Sequence, residues 1–557
     1  MKILKYITTV FLATFIFFSC NEDEWLEEEV LDFYSIGNSY VTADQFNAAV
    51  ATLYDQMQDR TIMSNLGGMY IFQYTSDIAY NAIAPTNALN SYIDKITPSN
   101  GSTRNFWRWY YQIIYYSNVI LSRIDGENTE FESEEQRNQL KAEAMFIRGN
   151  CYRLLGIMFG GVPLVLEEIK EPKRDFVRAT RAEVLAQAIS DVKFAAENLP
   201  DPDEAEDGRV SKGAANHLLA ELYITGEQWD NAIAAATAVI DDPNYELMTE
   251  RFGTRQSEPG DVYWDLFRIG NQNRKSSVNK EAIWVCQYEY DVTGGGRSSN
   301  YPQFGNPHYT TLQGKDGIPL FDKPMAAYGG RGIGWFAPNN FLINEVWDDP
   351  ADMRNSEYNI YRDIKATNPA SAYYGKYIVA DDAIDQSTAR AYNRGWSAIM
   401  VKITPVNNLP DEYYIDKERG TVINSGPQTF RDHYFMRLAE TYLLRAEAYL
   451  GKGDKTNAAA DINVIRGRAQ ATPVDEADVD IDYILDERVR ELAYEEFRTV
   501  TLMRTKKLAE RVKKYNPMYN GTYATNGVEE YHNLYPIPAD EIENNSEAVL
   551  EQNPGYN

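Results

Sequence analysis

Residues that bind metals or form disulfides are scarce in this sequence, which has three Cys and four His among 557 residues. This scarcity excludes a disulfide scaffold and a protein with several zinc sites. Positive charge is also in deficit, since 54 Lys and Arg stand against 82 Asp and Glu, a net charge of −28. Binding to a nucleic-acid backbone requires a basic face, so we expect no nucleic-acid partner.

Motifs of common hydrolases are missing as well. The four His form no H-E-x-x-H motif, and the chain has neither G-x-S-x-G nor a P-loop. Glycoside hydrolysis needs two suitably placed carboxylates, but Glu495 and Glu496 lie in an arginine-rich helix, which indicates structural ion pairs. Asp478, Asp480 and Asp482 are better explained as the acidic start of a helix than as a calcium site. We therefore expect no enzymatic activity, no cofactor and no bound metal.

The first twenty residues predict the compartment. Lys2 and Lys5 precede an apolar run at residues 7–18, which has the length of a signal peptide and is too short to span a bilayer. Ser19 and Cys20 end the run in a pattern that resembles a lipoprotein lipobox. Removal of the signal peptide, residues 1–19, would make Cys20 the N-terminal residue, and a lipid would be attached to its thiol. The alternative is an ordinary cysteine in an uncleaved signal.

An acidic tether follows the lipidation site, from residue 20 to residue 41. Its start, Asn21-Glu-Asp-Glu24, resembles the surface-export signal of lipoproteins in Bacteroidetes-type bacteria, although it could also be a plain solvated tether. No later segment approaches about 18 consecutive apolar residues. We therefore expect a chain that is anchored in the outer membrane by lipid, exposed at the cell surface and not membrane-spanning.

Helical periodicity dominates residues 42–255 and returns over residues 431–557. One motif recurs at an offset of 226 residues: Ala220-Glu-Leu-Tyr-Ile224 reappears as Ala446-Glu-Ala-Tyr-Leu450, and a Gly-containing turn follows each copy. Small Ala at a helix crossing, Tyr in the groove and Gly at the turn are typical of tetratricopeptide helical pairs. A generic helical hairpin is the alternative. The predicted fold is mainly α, a solenoid-type scaffold of tetratricopeptide-like pairs with few short strands.

Between residues 256 and 430 the helical period fades. Residues 294–334 hold ten of the 35 Gly of the chain, and Pro and aromatic residues interrupt the segment. Aromatic residues in such number are not typical of a linker, so we expect long ordered loops that form a ligand-binding insert on the scaffold.

Several segments in chain order resemble the SusD/RagB family of outer-membrane nutrient-binding lipoproteins. They are residues 141–148, 159–164, 208–215, 435–447, 487–498, 534–538 and 552–556. The resemblance implies helical pairs that carry a loop-rich ligand face. It also implies that the protein holds a glycan, or less often a peptide, and that a SusC-like TonB-dependent barrel transporter is its partner.

The candidate ligand residues are aromatic and polar side chains of the insert, because the apolar faces of sugar rings stack on Trp and Tyr while nearby polar groups bond the hydroxyls. The candidates in the insert are Trp264, Tyr290, Tyr301, Phe304, Tyr328, Arg331, Trp335, Phe336, Asn339 and Asn340. Tyr74, Ser76, Asp77 and Asn81 are predicted to line the opposite wall. Each aromatic residue could instead pack inside the loops without touching a ligand. Tyr74, Ser76, Asp77 and Asn81 could instead form a polar loop or cap a helix.

The local charge of the insert is compatible with acidic sugars as ligands. Residues 294–334 contain four basic and two acidic residues, a net charge of +2 in a strongly acidic chain. Scattered solvated charges would explain this equally. Three functions are thus considered: a non-catalytic glycan-binding lipoprotein, an oligopeptide-binding lipoprotein on the same scaffold, and a surface glycosidase. The number of Tyr and Trp in the loops favours the first.

The lipidation hypothesis predicts that Cys20→Ala releases the protein from membranes. Fractionation of cells followed by immunoblotting measures this. Cys286→Ala is the matched control and should stay in the membrane fraction, because Cys286 lies in a strand-like apolar run far from the signal. Retention of the Cys20→Ala protein in membranes would contradict the hypothesis.

Overall fold

The structure is a computed structural model. It describes residues 39–60, 69–83, 89, 91–295, 299–388, 393–424, 430–517 and 527–556. The predicted signal peptide, Cys20 and most of the acidic tether lie outside the described residues. No helix in the described part of the chain is both long enough and apolar enough to cross a membrane.

Helices are the main secondary structure of the described residues. They are α1 Ala43–Gln58, α2 Met69–Tyr74, α3 Tyr92–Lys95, α4 Gly101–Arg123, α5 Glu134–Met158, α6 Arg181–Asn198, α7 Lys212–Thr225, α8 Trp229–Ile240, α9 Val262–Leu266, α10 Arg274–Ser277, α11 Tyr301–Gly305, α12 Leu438–Gly451, α13 Lys455–Arg468, α14 Ile481–Leu492, α15 Arg498–Arg504, α16 Leu508–Tyr515 and α17 Ala539–Asn544. The prediction of a mainly helical protein is confirmed.

Side-chain caps fix where the long helices begin. Thr42 caps α1 in a reciprocal arrangement with Gln45, and Thr180 does the same for α6 with Glu183. Such capping boxes satisfy backbone N–H groups that have no partner within the helix. Asp480 caps α14, which agrees with the interpretation of this acidic stretch as a helix start.

The two copies of the sequence repeat form two helical hairpins, α7–α8 and α12–α13, that pack against each other. Ile224 and Ala232 of the first hairpin form a small apolar cluster with Leu444 and Ala448 of the second. Gly451 lies so close to the Trp229 ring of the first hairpin that a Cβ there would come within 2.6 Å of it. The hairpins thus bury faces that neither could bury alone, as tetratricopeptide pairs do.

Short antiparallel strand pairs occur within the loop region and connect it to the segments before and after it. The strands are β1 Ala79–Asn81, β2 Ala282–Cys286, β3 Phe336–Pro338, β4 Ile360–Tyr361, β5 Ile399–Met400, β6 Tyr414–Asp416, β7 Thr421–Val422 and β8 His433–Arg437. Strand β1 pairs with β3, β2 with β8, β4 with β5 and β6 with β7. Cys286 on β2 and Cys151 on α5 are both buried as free thiols.

The loop region has an apolar core of its own in addition to the main core of the helices. This satellite core consists of Tyr309, Leu312, Leu320, Phe321, Ile364, Ala366, Ile378, Ala383, Ile384 and Ile399. A buried core explains how a segment rich in Gly and Pro can hold fixed surface positions.

Buried ion pairs join the loop region to the C-terminal helices. Arg354, from the loops, donates to Glu487 and Glu491 of α14 at 2.8 and 3.0 Å. Arg437 of β8 donates to Glu491 and also to Glu495, at 2.5 and 2.7 Å. The side chains of all five residues are at least nine-tenths buried.

The predicted structural role of the Glu495–Glu496 pair is confirmed. Arg437 and Lys402 pair with Glu495, and Arg488 and Arg498 pair with Glu496. Burial alone would raise the pKa of Glu495, but the Arg437 and Lys402 cations outweigh it and lower that pKa below its usual value.

Asp77 is a second centre of buried charge. It accepts two hydrogen bonds from Arg498 at 2.8 and 2.7 Å and one from Arg511 at 2.7 Å, and all three side chains are almost completely buried. Burial alone would raise the pKa of Asp77, but the two guanidinium groups hold it well below its usual range. A loop near the N-terminus is thereby bound to α15 and α16.

Replacing Asp77 with Asn should therefore destabilise the protein by about 3–5 kcal/mol, because two buried guanidinium groups would lose their counter-charge. Urea unfolding measures the loss. The matched control is Asp230→Asn, since Asp230 is 83% exposed in its pair with Lys452 and exposed pairs contribute about 1 kcal/mol or less. Equal stability of the two variants would contradict the importance assigned to Asp77.

Candidate functional site

The two segments predicted to face each other across a site are neighbours in one small sheet. In the β1–β3 pair, Ala79 lies opposite Pro338 and Asn81 lies opposite Phe336. The Ala82 N–H continues the contact by donating to the Trp335 carbonyl at 2.9 Å. Residues more than 250 positions apart thus share one surface.

Trp335 is the aromatic side chain that is partly exposed on this surface. Its ring lies parallel to the buried ring of Phe304, with centroids 4.3 Å apart and planes 7° apart. The backbone N–H of Trp335 also donates to the Phe304 carbonyl at 2.7 Å. This backing holds the indole in one orientation before any ligand arrives, which lowers the entropy cost of binding.

Polar residues lie on the segments that adjoin Trp335. Asn81 is partly exposed, and its Oδ1 accepts from the Ile83 N–H at 2.9 Å. On another loop, the Asn393 amide donates to the Tyr80 hydroxyl at 3.1 Å, and Arg394 Nε donates to the Ile333 carbonyl at 2.8 Å. We call Asn81, Ile83, Trp335, Asn393 and Arg394 the Trp335 surface.

The backbone at Gly334 permits this close assembly. Its φ of 56° lies in the left-handed region, and a Cβ there would come within 2.6 Å of the Arg394 carbonyl oxygen. Sequence reasoning missed Asn393 and Arg394, because they lie about sixty residues from Trp335 in a stretch without a motif. The Gly-rich context of Gly334 was the only signal of a close approach.

Asn339 of the insert and most of the polar residues predicted for the opposite wall are buried. Asn339 is buried, and its amide donates to the Asp77 and Tyr515 carbonyls at 2.6 and 3.0 Å. Tyr74, Ser76 and Asp77 are buried as well. Of this predicted set, only Asn81 has a partly exposed side chain.

Several predicted aromatic residues lie in the interior. Trp264 is buried among three guanidinium groups, whose carbons lie 4.5 to 5.7 Å from the ring centroid. Tyr301 and Phe336 are buried and stack on each other at 5.6 Å. In these positions the rings hold the loops together and present no open face to a ligand.

Tyr290, Tyr328, Arg331 and Asn340 are the remaining predicted residues. Tyr290 is 39% exposed and packs edge-on against Phe430. Tyr328 is partly buried, and burial raises the pKa of its hydroxyl, which therefore stays neutral and both donates to and accepts from the backbone of Lys365. Arg331 is partly exposed and donates to a backbone carbonyl at 3.4 Å, while Asn340 bonds Glu345.

Ion pairs with residues outside the segment involve both signs of charge in the predicted positive island at residues 294–334 and leave its net charge unchanged. Lys315 pairs with Asp382, which comes from outside that segment. Asp322 of the island pairs with Arg419. In the described part of the chain no group of three or more His, Cys, Asp or Glu is arranged to hold a metal ion.

Comparison with known proteins places the chain in a family. A sequence model described as the SusD family matches residues 280–556, and a second, described as starch-binding and associating with the outer membrane, matches residues 28–224. The starch-binding protein SusD of Bacteroides thetaiotaomicron is 38% identical over 83% of this chain and 81% of that protein. The SusD-like protein P25 of Formosa agariphila is 26% identical over 98% of this chain and 97% of that protein.

Solved structures show the same fold. A laminarin-binding SusD-like protein superposes with a TM-score of 0.68 at 21% identity and covers 93% of this chain and all of that protein. A SusD homologue from Bacteroides thetaiotaomicron also gives 0.68, at 18% identity over 93% of this chain and 98% of that one. The resemblance noted in the sequence is confirmed: the chain belongs to the SusD family.

Proposed function

We propose that this protein binds a glycan at the Trp335 surface without cleaving it. The observation that carries the proposal is the partly exposed indole of Trp335, which stacks on Phe304, with Asn81 on the paired strand and Asn393 bonded to Tyr80 of that strand. A flat apolar ring with amides beside it matches a sugar, whose C–H face is apolar and whose edge carries hydroxyls.

Two relatives support a glycan rather than a peptide as ligand. The named ligands of these relatives, starch and laminarin, are both polymers of glucose. Peptide capture commonly adds a strand to an open sheet edge, with pockets for alternate side chains. Stacking on a single pre-oriented indole requires no such edge, so the geometry favours a sugar.

The Glu495–Glu496 pair lacks the electrostatics that glycoside hydrolysis requires. A glycosidase needs one carboxyl group that is protonated near neutral pH and can act as an acid. Glu495 and Glu496 are adjacent and buried, but both are paired with cations, and the lowered pKa of Glu495 keeps it ionised. This pair is therefore unsuited to acid catalysis.

The proposed setting is the outer face of the outer membrane. The lipobox-like sequence at Cys20 supports a lipid anchor, and the family description supports an association with the outer membrane. A TonB-dependent barrel transporter that receives the glycan is the proposed partner, in accordance with the family resemblance.

Trp335→Ala should weaken glycan binding by more than about 1 kcal/mol, because the stacking face is lost. Isothermal titration calorimetry of the purified protein with starch, laminarin and other polysaccharides measures the affinity. Chromatography of the ligand afterwards should show intact chains. A peptide digest tests the alternative ligand class.

The control for this variant is Trp109→Ala. Trp109 is also a partly exposed tryptophan packed on a phenylalanine, but it lies on α4. Trp335→Phe should bind with intermediate affinity, since a smaller ring keeps part of the stacking. Wild-type affinity in both Trp335 variants, or binding to peptides alone, would contradict the proposal, and shortened glycan chains would contradict the absence of catalysis.

The proposed partner predicts that the protein, extracted in mild detergent, co-purifies with a large outer-membrane barrel protein. Mass spectrometry identifies that protein, and the Cys20→Ala protein tests whether anchoring assists the assembly. Repeated isolation of the protein alone would count against a transporter partner.

A further inference from the structure

A second exposed aromatic surface lies on a hairpin of the loop region, residues 364–378. Ladder bonds close the hairpin, from the Ile378 N–H to the Ile364 carbonyl and from the Ala366 N–H to the Lys376 carbonyl, both at 2.9 Å. Gly375 makes the return possible with a φ of 76°. We call this segment the tyrosine hairpin.

The hairpin is held rigidly against the satellite core. Ile364, Ala366 and Ile378 are buried in that core. The Tyr328 hydroxyl clamps the base, since it accepts from the Lys365 N–H at 3.1 Å and donates to the Lys365 carbonyl at 3.0 Å. At the tip, Asp316 accepts from the Ser371 hydroxyl at 2.8 Å. The side chains on its outer side are therefore presented from a fixed base.

Exposed tyrosine is concentrated on this hairpin. The most exposed tyrosines of the described chain are Tyr374 at 59%, Tyr377 at 45%, Tyr115 at 40% and Tyr290 at 39%. The two highest values thus belong to residues three positions apart on one hairpin. Exposed rings clustered on a rigid support are a feature of ligand surfaces rather than of packing.

Lysine ammonium groups lie beside two tyrosine rings of the hairpin. Lys365 Nζ is 5.0 Å from the centroid of Tyr377, and Lys376 Nζ is 5.5 Å from that of Tyr373. Within the described residues neither lysine has a carboxylate partner. At these distances cation–π attraction holds the ammonium groups next to the rings.

The nearby carboxylates are occupied by the backbone. Asp363 accepts from the N–H groups of Val379 and Ala380 at 3.0 and 2.8 Å. Asp381 accepts from the Tyr377 N–H at 2.7 Å. These two aspartates flank the hairpin and stabilise its backbone. Neither forms an ion pair with Lys365 or Lys376, so both ammonium groups can pair with an anionic ligand.

From this arrangement we propose that the tyrosine hairpin is a second glycan-binding surface, separate from the Trp335 surface, and that it takes glycans with carboxylate or sulfate groups. Tyr374 and Tyr377 would stack on the sugar rings, and Lys365 and Lys376 would pair with the anionic groups. The inference rests on the proposed function only for its ligand class, a glycan. It adds a location and a charge preference.

The test compares charged polymers with neutral counterparts of the same backbone. The probes are polygalacturonate with its methyl ester, and dextran sulfate with dextran, titrated into the purified lipoprotein in mild detergent. We expect at least one charged polymer to bind about tenfold more tightly than its neutral counterpart, and the difference to shrink as salt is raised.

Two double variants locate the effect. Tyr374→Ala with Tyr377→Ala should weaken binding of that charged polymer about tenfold, and Lys365→Gln with Lys376→Gln should remove the preference for charge. The matched control is Tyr115→Ala with Lys193→Ala, since both of these residues are exposed and lie on helices α4 and α6, outside the hairpin. Circular dichroism and thermal unfolding verify that each variant is folded.

The outcomes separate this inference from the proposed function. If neutral glucans bind through Trp335 but charged polymers gain nothing, the hairpin inference is overturned and the proposed function stands. If no polysaccharide binds at all, both fail. Hairpin variants that bind charged polymers like the wild type also overturn the inference, as do variants that lose only a co-purifying protein.

Discussion

Pairing of buried arginines with buried carboxylates is the interaction on which the rest of this structure depends. Arg354 and Arg437 come from the loop region and from β8, yet both bond Glu491 on α14. Charges removed from water are stable only with good geometry and complete pairing. Each arginine therefore fixes the place where its own segment meets the helices, and the assembly tolerates few alternatives.

The Trp335 surface depends on the same principle through Asp77. Arg498 and Arg511 hold Asp77 from two C-terminal helices, and β1 begins two residues after it. Strand β1 then aligns β3, and the residue before β3 is Trp335. The position of the indole is thus set by contacts between residues more than 400 positions apart. The loop sequence itself supplies Phe304, on whose ring the indole stacks.

The sequence was informative wherever a local pattern determines structure. The repeat at offset 226 predicted the helical hairpins, and Arg488 and Arg498 predicted the ion pairs of Glu496. The partners of Glu495 come instead from distant segments, and both glutamates lie in the turn after α14 and not in a helix as predicted. Exposure could not be predicted in this way. Trp264 and Trp335 both lie in the aromatic loop region, but Val401 and Val406 from a distant part of the chain help to bury the first, while the second covers Phe304 and stays partly open. Only tertiary contacts distinguish them.

The same reason explains why the tyrosine hairpin escaped sequence reasoning. Tyr374 and Tyr377 lie outside the Gly-rich stretch, and their exposure follows from which neighbours, Ile364 and Ile378, enter the satellite core. In a scaffold held together by buried ion pairs, different residues determine stability and ligand preference. The helices and their ion pairs preserve the fold, while loops packed on the main core and on the satellite core carry the exposed rings. Changes in those rings would then alter ligand preference at little cost to stability, since surface substitutions away from buried networks usually change it by about 0.5 kcal/mol or less.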